Sequence, residues 1–154
     1  MLFYWIAGLV LILDQAAKWM VRTHMELGET IPFWSPHMQF VYYENSGAAF
    51  SLFQGYGQYF AIVAVLFIAA VFYYRRQGRI RGPLLEAACG FLVGGAAGNG
   101  IDRAIYRQVT DFLVFGENGG ILNLADLAIN AGGLLFAVYL GWDYWRSRTA
   151  RRSI

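Results

Sequence analysis

Four apolar runs dominate the sequence and limit what this chain can fold into. They cover about residues 2–21, 56–74, 84–101 and 125–145. About 20 apolar residues are enough to cross a bilayer, and in lipid the backbone of such a segment must hydrogen-bond within itself, as a helix does. With 58% hydrophobic and 14% charged residues among 154, the chain is predicted to be an all-α integral membrane protein: a single domain, 1–154, of four transmembrane helices.

The distribution of arginine predicts how these helices cross the membrane. Arginine is concentrated in the link RRQGRIRG between the second and third runs, and in the tail at Arg146, Arg148, Arg151 and Arg152. Because cytoplasmic loops carry an excess of Lys and Arg, both termini are expected in the cytoplasm and residues 22–55 and 102–124 outside it. The net charge of +2 is too small to indicate a nucleic-acid partner.

The first outward loop is rich in aromatic residues and is expected to lie on the bilayer surface. Aromatic rings prefer the membrane interface, and the loop contains Phe33, Trp34, Phe40, Tyr42 and Tyr43. The stretch from Met38 to Tyr43 favours a short strand that ends in a turn. A small β-structured region is therefore predicted on the outward side.

Small residues at four-residue spacing predict where helices approach closely. The third run carries Gly90, Gly94 and Gly98, and the fourth carries Gly133, Ala137 and Gly141. Such ridges let two transmembrane helices pack tightly, although glycine is also simply common in membrane helices. The third and fourth helices are expected to pack against each other through these ridges.

Two aspartates at the outward side are the main candidates for function. Asp111 interrupts the apolar stretch VTDFLVF, and Asp126 lies where the fourth run begins. An acid near the hydrocarbon core is costly and is therefore a functional candidate by default. For Asp126 there is a structural alternative, because Asn123 or Asp126 could cap the start of a helix.

A hairpin between the two aspartates is expected to bring them together. Asn118-Gly119 is a favoured two-residue turn, and centring the hairpin there places Gly116 opposite Ile121 and Phe115 opposite Leu122. Extended further, this register sets Asp111 opposite Asp126, although a helix that begins near Leu124 would break the ladder first. The weaker expectation is that both carboxylates lie close together near the outer surface.

Two adjacent carboxylates favour aspartic-peptidase chemistry. They do not readily both ionise, so the pair retains one proton over a useful pH range. The ionised member can activate water while the protonated member hydrogen-bonds the scissile carbonyl. This chemistry needs no metal and no cofactor, and the sequence contains no HExxH zinc motif and no GxSxG motif.

Other polar residues surround the proposed pair. Asp14 and Lys18 are four residues apart and share a helix face, either as a helix-packing ion pair or as a substrate contact. Asn99 and Arg103 share a face of the third run, and Arg103 could offer paired donors to a carbonyl or a headgroup. Asp102 with Arg103 could instead form an ion pair at the helix end.

Five ordered motifs resemble those of the bacterial lipoprotein signal peptidases, also called signal peptidase II. They are LDQAAKW, ENSGAAFS, GGAAGNGIDR, VTDF and NLADLAI. The resemblance implies that Asp111 and Asp126 are the catalytic pair. It also implies site-shaping, substrate or inhibitor contacts for Asp14, Lys18, Asn45, Gly95, Asn99, Arg103, Asn123 and Ala125.

The same resemblance implies the substrate and the location. The substrate would be a diacylglyceryl-modified prolipoprotein, cut on the N-terminal side of its lipidated cysteine, and globomycin would be an inhibitor. The enzyme would be a multi-pass protein of the bacterial inner membrane, in contact with membrane lipids, with its site near the outer leaflet. A monomer is expected, since four spans can enclose the site without a second chain. Arg107, where the family usually has glycine, Leu122, where it usually has phenylalanine, and a short loop between the aspartates depart from the pattern.

Two other classes of function share some of these sequence features. A small proton-coupled transporter would also need acids within the membrane, and Asp14 with Lys18 would suit it. However, the other acids crowd one side of the membrane and no inverted repeat is visible. A lipid-binding assembly subunit would use the aromatic loop but would need no pair of aspartates.

Overall fold

A computed structural model describes residues 1–34, 37–47, 54–116 and 119–152, with side chains up to 149. The elements in chain order are α1 (Leu2–His24), β1 (Thr30–Trp34), β2 (Met38–Asn45), α2 (Gly57–Arg76), α3 (Pro83–Tyr106), β3 (Val109–Phe115), β4 (Ile121–Leu122) and α4 (Leu124–Arg152). All four helices are long and apolar enough to cross a membrane. The prediction of four membrane helices with a small β-structured region is confirmed, with α3 and α4 longer than expected.

The ends of α3 show how local sequence sets a helix boundary. Pro83 occupies the first turn, where its missing N–H is not needed, and Glu86 lies in the same turn. The helix ends at Arg107, which adopts the left-handed conformation at φ 63° while its N–H bonds to the carbonyl of Arg103. This conformation favours glycine, the usual residue at this position in the pattern noted above, and Arg107 adopts it with a side chain present.

The central helix of the bundle is α3, which packs against α1, α2 and α4. Its glycine ridge faces mainly α1: a Cβ added at Gly94 would lie 2.9 Å from the carbonyl oxygen of Ala7. Gly133 and Gly141 of α4 have no neighbour within 4 Å of an added Cβ. The expected pair of helices does pack, but the expected ridges are wrong, because spacing defines a helix face without defining which neighbour it meets.

The contact between α3 and α4 is instead made by two other glycines. A Cβ at Gly95 would lie 2.5 Å from the carbonyl oxygen of Ala125, and one at Gly132 would lie 2.9 Å from that of Ala88. These pairs run in opposite directions along the two helices, so α3 and α4 are antiparallel. The start of α4 is thereby held against the C-terminal half of α3.

The four strands form one antiparallel sheet in the order β1-β2-β3-β4. The strand expected from Met38 to Tyr43 is confirmed as β2, which continues to Asn45, while β1 was not expected. Buried Val21 of α1 packs with Phe112 and Leu113 of β3, which attaches the sheet to the bundle. The end of the bundle that carries the sheet is called the sheet end below.

The register of the hairpin differs from the expected one. Leu113 pairs with Leu122, and Val114 pairs with Ile121, which is a shift of two residues from a hairpin centred on Asn118-Gly119. Asn118 itself lies outside the described residues. Because α4 begins at Leu124, Asp126 lies in a helical turn and is not a strand partner of Asp111.

The opposite end of the bundle gathers the start of α1, the end of α2 and the start of α3. Glu86 accepts a hydrogen bond from the backbone N–H of Phe3 at 3.4 Å and pairs with Arg75 at 3.3 Å. The arginine-rich link therefore lies far from the sheet end. Phe33 and Trp34 are exposed on β1, and their position on a bilayer surface stays a prediction.

Candidate active site

Asp111 and Asp126 line the same cavity, which has a volume of about 910 Å³ and lies at the sheet end between α2, α3, α4 and the sheet. Asp111 comes from β3, and Asp126 comes from the first turn of α4. The weaker expectation that the two carboxylates lie close together is therefore supported by a shared cavity, although the hairpin register was wrong. Their position near the outer surface of the membrane stays a prediction.

Asn123 connects the two aspartates and also begins α4. Its side-chain oxygen accepts the N–H of Asp126 at 2.9 Å, while its own N–H donates to the Asp126 carboxylate at 3.2 Å. This is a reciprocal cap of the capping-box type. The Asn123 amide nitrogen donates to Asp111 Oδ1 at 2.6 Å. The same side chain of Asn123 thus caps the start of α4 and links Asp111 to Asp126.

Three asparagines present their NH2 groups to the two carboxylates. Besides Asn123, Asn99 donates to Asp126 Oδ1 at 2.8 Å and Asn45 donates to Asp111 Oδ2 at 3.1 Å. Each amide oxygen accepts from a group that can only donate: the Asp126 N–H for Asn123, the Lys18 ammonium for Asn99 at 2.8 Å, and the Gly47 N–H for Asn45 at 3.0 Å. The orientation of all three amides is therefore fixed.

Behind the cavity lies a buried cluster of four charged side chains. Lys18 Nζ is 2.9 Å from Asp14 Oδ2 and 3.2 Å from Asp102 Oδ2, and Arg22 Nη2 is 2.7 Å from Asp102 Oδ1. Asp14, Lys18 and Asp102 are fully buried. Of the two alternatives for Asp14 and Lys18, this geometry favours the packing pair. Asp102 pairs with Lys18 and Arg22, so the pairing with Arg103 considered above is wrong.

Gln15 and Arg22 also belong to this cluster, although they are not among the residues predicted from the sequence. Arg22 follows Lys18 by four residues on the same helix face, a signal that was available. The amide of Gln15 donates to Asp102 at 3.2 Å and to the carbonyl oxygen of Gly98 at 3.1 Å. No pattern in the sequence distinguishes this glutamine.

Asp14 also holds the start of α4. Its Oδ1 accepts the N–H of Ala125 at 2.8 Å, one of the backbone donors that a helix start leaves without an intrahelical partner. Gly95 permits this approach, since its missing side chain leaves space for the Ala125 carbonyl. Asp14, Lys18, Gly95, Asn123 and Ala125 thus support the site from behind, while Asn45, Asn99 and Arg103 line the cavity.

Arg103 supplies positive charge at the cavity wall. Its Nη2 donates to the carbonyl oxygen of Gly47 at 3.2 Å, and its guanidinium lies 5.5 Å from the centre of the Phe60 ring. Its buried Nε has no hydrogen-bond partner among the described residues. Apart from Tyr43 and Asn130, the rest of the lining is apolar and includes Val63, Phe67 and Ile129.

The surroundings of Asp111 favour its protonated form. Burial, and after it the neighbouring charge of Asp126, raise its pKa from 3.8 to about 6, against the donors from Asn45 and Asn123. One proton held between two carboxylates is the state that activates water in an aspartic peptidase. Among the described residues there is no group of three or more His, Cys, Asp or Glu side chains placed to hold a metal ion.

Comparison with known proteins places the chain in a family. A family model described as Signal peptidase (SPase) II matches residues 6–142. The chain belongs to this family. The resemblance drawn from the five motifs is thereby confirmed, and the protein is a multi-pass membrane peptidase.

Relatives and solved structures agree with this assignment. The chain is 34% identical to the lipoprotein signal peptidase of Bacillus velezensis, over 93% of this chain and 95% of the relative. It is 39% identical to that of Symbiobacterium thermophilum, over 85% and 89%. A bacterial membrane enzyme solved by the in meso method at 2.3 Å superposes with a TM-score of 0.87 at 28% identity, over 92% of this chain and 88% of that one.

Proposed function

We propose that this protein is an aspartic-type endopeptidase that removes signal peptides from diacylglyceryl-modified prolipoproteins. The observation that supports this most directly is the placement of Asp111 and Asp126 in one cavity, joined through Asn123. Family membership supports signal-peptide removal, and the cavity supplies residues able to perform it.

The reaction follows from one proton shared by the two carboxylates. The ionised carboxylate removes a proton from a water molecule, whose oxygen bonds to the scissile carbonyl carbon. The protonated carboxyl group donates its hydrogen to the carbonyl oxygen, and a gem-diol forms. The C–N bond then breaks, the amine leaves with a proton from the first carboxyl group, and the second recovers its own proton from the gem-diol.

Asp111 is the better candidate for the protonated member. Its pKa is raised to about 6 by burial and by the charge of Asp126. Asp126 receives a hydrogen bond from Asn99, which in turn contacts the ammonium of Lys18. This chain of donors from a cation stabilises negative charge on Asp126, which would act as the base.

The layout of the bundle suits a lipid-anchored substrate. The site lies at the end opposite the arginine-rich link, which the positive-inside rule assigns to the cytoplasm together with both termini. The scissile bond, on the N-terminal side of the lipidated cysteine, would reach the carboxylates at the outer leaflet of the bacterial inner membrane. The acyl chains would stay in lipid, so their transfer to water would not oppose cleavage.

The test is cleavage of a fluorescent diacylated lipobox peptide by purified enzyme in detergent or nanodiscs. Asp111→Asn and Asp126→Asn are each expected to lower kcat by about 10³-fold or more, because each removes one of the two proton-transfer groups. Asp143→Asn changes an exposed acid on the same helix and should leave cleavage unchanged. Full activity in either dyad variant contradicts the mechanism, and globomycin is expected to inhibit the wild-type enzyme.

A further inference from the structure

Asn130 is a polar residue of the cavity to which neither the motifs nor the mechanism assigns a role. It follows Asp126 by four residues on α4, so it lies one helical turn, about 6 Å, further from the sheet end. Its side chain is exposed and lines the same cavity as the two aspartates. Among the described residues, none forms a hydrogen bond with its carboxamide.

The walls around Asn130 are apolar. They are formed by α2, α3 and α4 through Val63, Ala64, Phe67, Ala96 and Ile129. These residues lie within the membrane-spanning ranges of their helices. A carboxamide in such surroundings is unfavourable until its donors and its acceptor find partners. This makes Asn130 the kind of intramembrane polar residue that points to a bound group.

We propose that Asn130 binds a peptide unit of the signal segment about two residues upstream of the scissile bond. This inference rests on the proposed peptidase function. The signal segment continues from the cut into the bilayer, the direction in which Asn130 lies from Asp126. An extended chain rises about 3.3 Å per residue, so one helical turn of displacement corresponds to about two residues.

The chemistry of a carboxamide matches that of a peptide unit. An asparagine offers two N–H donors and one oxygen acceptor, while a peptide unit offers one of each. An extended peptide in an apolar cleft has lost the internal hydrogen bonds of a helix and needs such partners. The ester carbonyls of the diacylglyceryl group share the acceptor but have no N–H. A substrate in which one peptide N–H is removed therefore distinguishes binding of a peptide unit from binding of the diacylglyceryl esters.

The experiment is a double-mutant cycle that combines substitutions in the enzyme with chemical changes in the substrate. Asn130→Leu keeps the size of the side chain and removes its polar atoms, and Asn130→Gln retains the carboxamide. Leu134→Ala, one turn further along α4 at an exposed position outside the cavity lining, is the control. Substrates are the parent diacylated peptide, peptides in which each of the three upstream peptide bonds is singly replaced by an ester, and a peptide with ether-linked chains.

For the parent substrate, Asn130→Leu is expected to raise KM about 10-fold with little change in kcat, because a binding hydrogen bond is lost. One backbone ester should cost the wild-type enzyme a similar factor and cost Asn130→Leu nothing further. Asn130→Gln should recover part of the loss, and Leu134→Ala should match the wild type.

Three results would overturn the inference. The first is a kcat/KM of Asn130→Leu within twofold of the wild type. The second is an equal effect of each backbone ester on the wild type and on Asn130→Leu. The third is that the loss caused by Asn130→Leu disappears with the ether-linked substrate and not with a backbone ester. The variant Asp126→Asn separates this inference from the proposed function. If Asp126→Asn cleaves the parent peptide, the dyad mechanism fails. If Asp126→Asn is inactive and Asn130→Leu is as active as the wild type, only the role of Asn130 is rejected.

Discussion

Replacing Lys18 tests whether the buried charge cluster supports the active site. Its ammonium is fully buried and contacts Asp14, Asp102 and the amide oxygen of Asn99 at 2.9, 3.2 and 2.8 Å. Lys18→Met keeps most of the side-chain stem and removes the charge together with all three contacts. The variant therefore changes electrostatics more than packing.

The expected cost follows from the charges of the cluster. Asp14 and Asp102 carry two negative charges, and Lys18 and Arg22 carry two positive ones, so the cluster is neutral. Lys18→Met leaves one uncompensated buried negative charge. Breaking a buried pair in this way costs about 3–5 kcal/mol in free energy of unfolding.

A double variant shows whether charge balance is the cause. Asp14→Asn with Lys18→Met restores neutrality and keeps an oxygen that can accept the Ala125 N–H. The double variant is expected to cost at least about 2 kcal/mol less than the sum of the two single variants, because the two residues interact directly. Unfolding would be measured by titration with SDS in mixed micelles. Arg76→Met, at an exposed position, is the control and should change stability by less than about 0.5 kcal/mol.

The same variant has a functional consequence. Without the ammonium, the Asn99 amide is free to rotate and to turn its oxygen toward Asp126, which would repel the carboxylate. Lys18→Met is therefore expected to lower kcat under conditions where the enzyme remains folded. The reasoning fails if Lys18→Met costs less than about 1 kcal/mol, or if the single variants and the double variant are additive.

Two further predictions follow from the geometry. The pKa of Asp111 is raised to about 6 in the folded protein, so between about pH 4 and 6 the folded state binds a proton that the unfolded state does not. The free energy of unfolding that this group contributes is therefore present at low pH and lost as the pH rises through 6. Asp111→Asn should remove this pH dependence, which is on the order of 3 kcal/mol. The measurement is unfolding of the variant and the wild type at a series of pH values from 4 to 6, and an unchanged pH profile in the variant would contradict the prediction. A Cβ at Gly95 would lie 2.5 Å from the carbonyl oxygen of Ala125, so Gly95→Ala should cost about 1–3 kcal/mol and lower cleavage. Gly133→Ala, which meets no atom within 4 Å, should do neither, and equal effects of the two glycine variants would show that this contact is unimportant.

The residues of the site could be named from the sequence better than their arrangement could. Asp111 and Asp126 stood out because acids are costly beside apolar runs. The hairpin that was expected to align them had the wrong register, and their link is the cap formed by Asn123. Turn preference is a local property, whereas the register also depends on where β3 and α4 pack.

Long-range contacts in the supporting cluster were equally hard to foresee. The contact of Asp14 with Ala125 and that of Lys18 with Asn99 join residues far apart in the chain. Arg22 became part of the site only because α1 turns that face toward Asp102. Spacing placed these residues on a helix face, but it did not say which helix that face meets.

The sequence by itself determined the four membrane helices, because hydropathy adds up along a local segment and bilayer thickness fixes the length required. It also determined the chemistry on offer, two carboxylates with amide and cationic partners. The tertiary structure decided how each helix is rotated and which helix it meets. Within lipid, apolar faces are equivalent, so small-residue contacts and buried hydrogen bonds set these choices, as Gly95 against Ala125 and Asn123 against Asp111 do here.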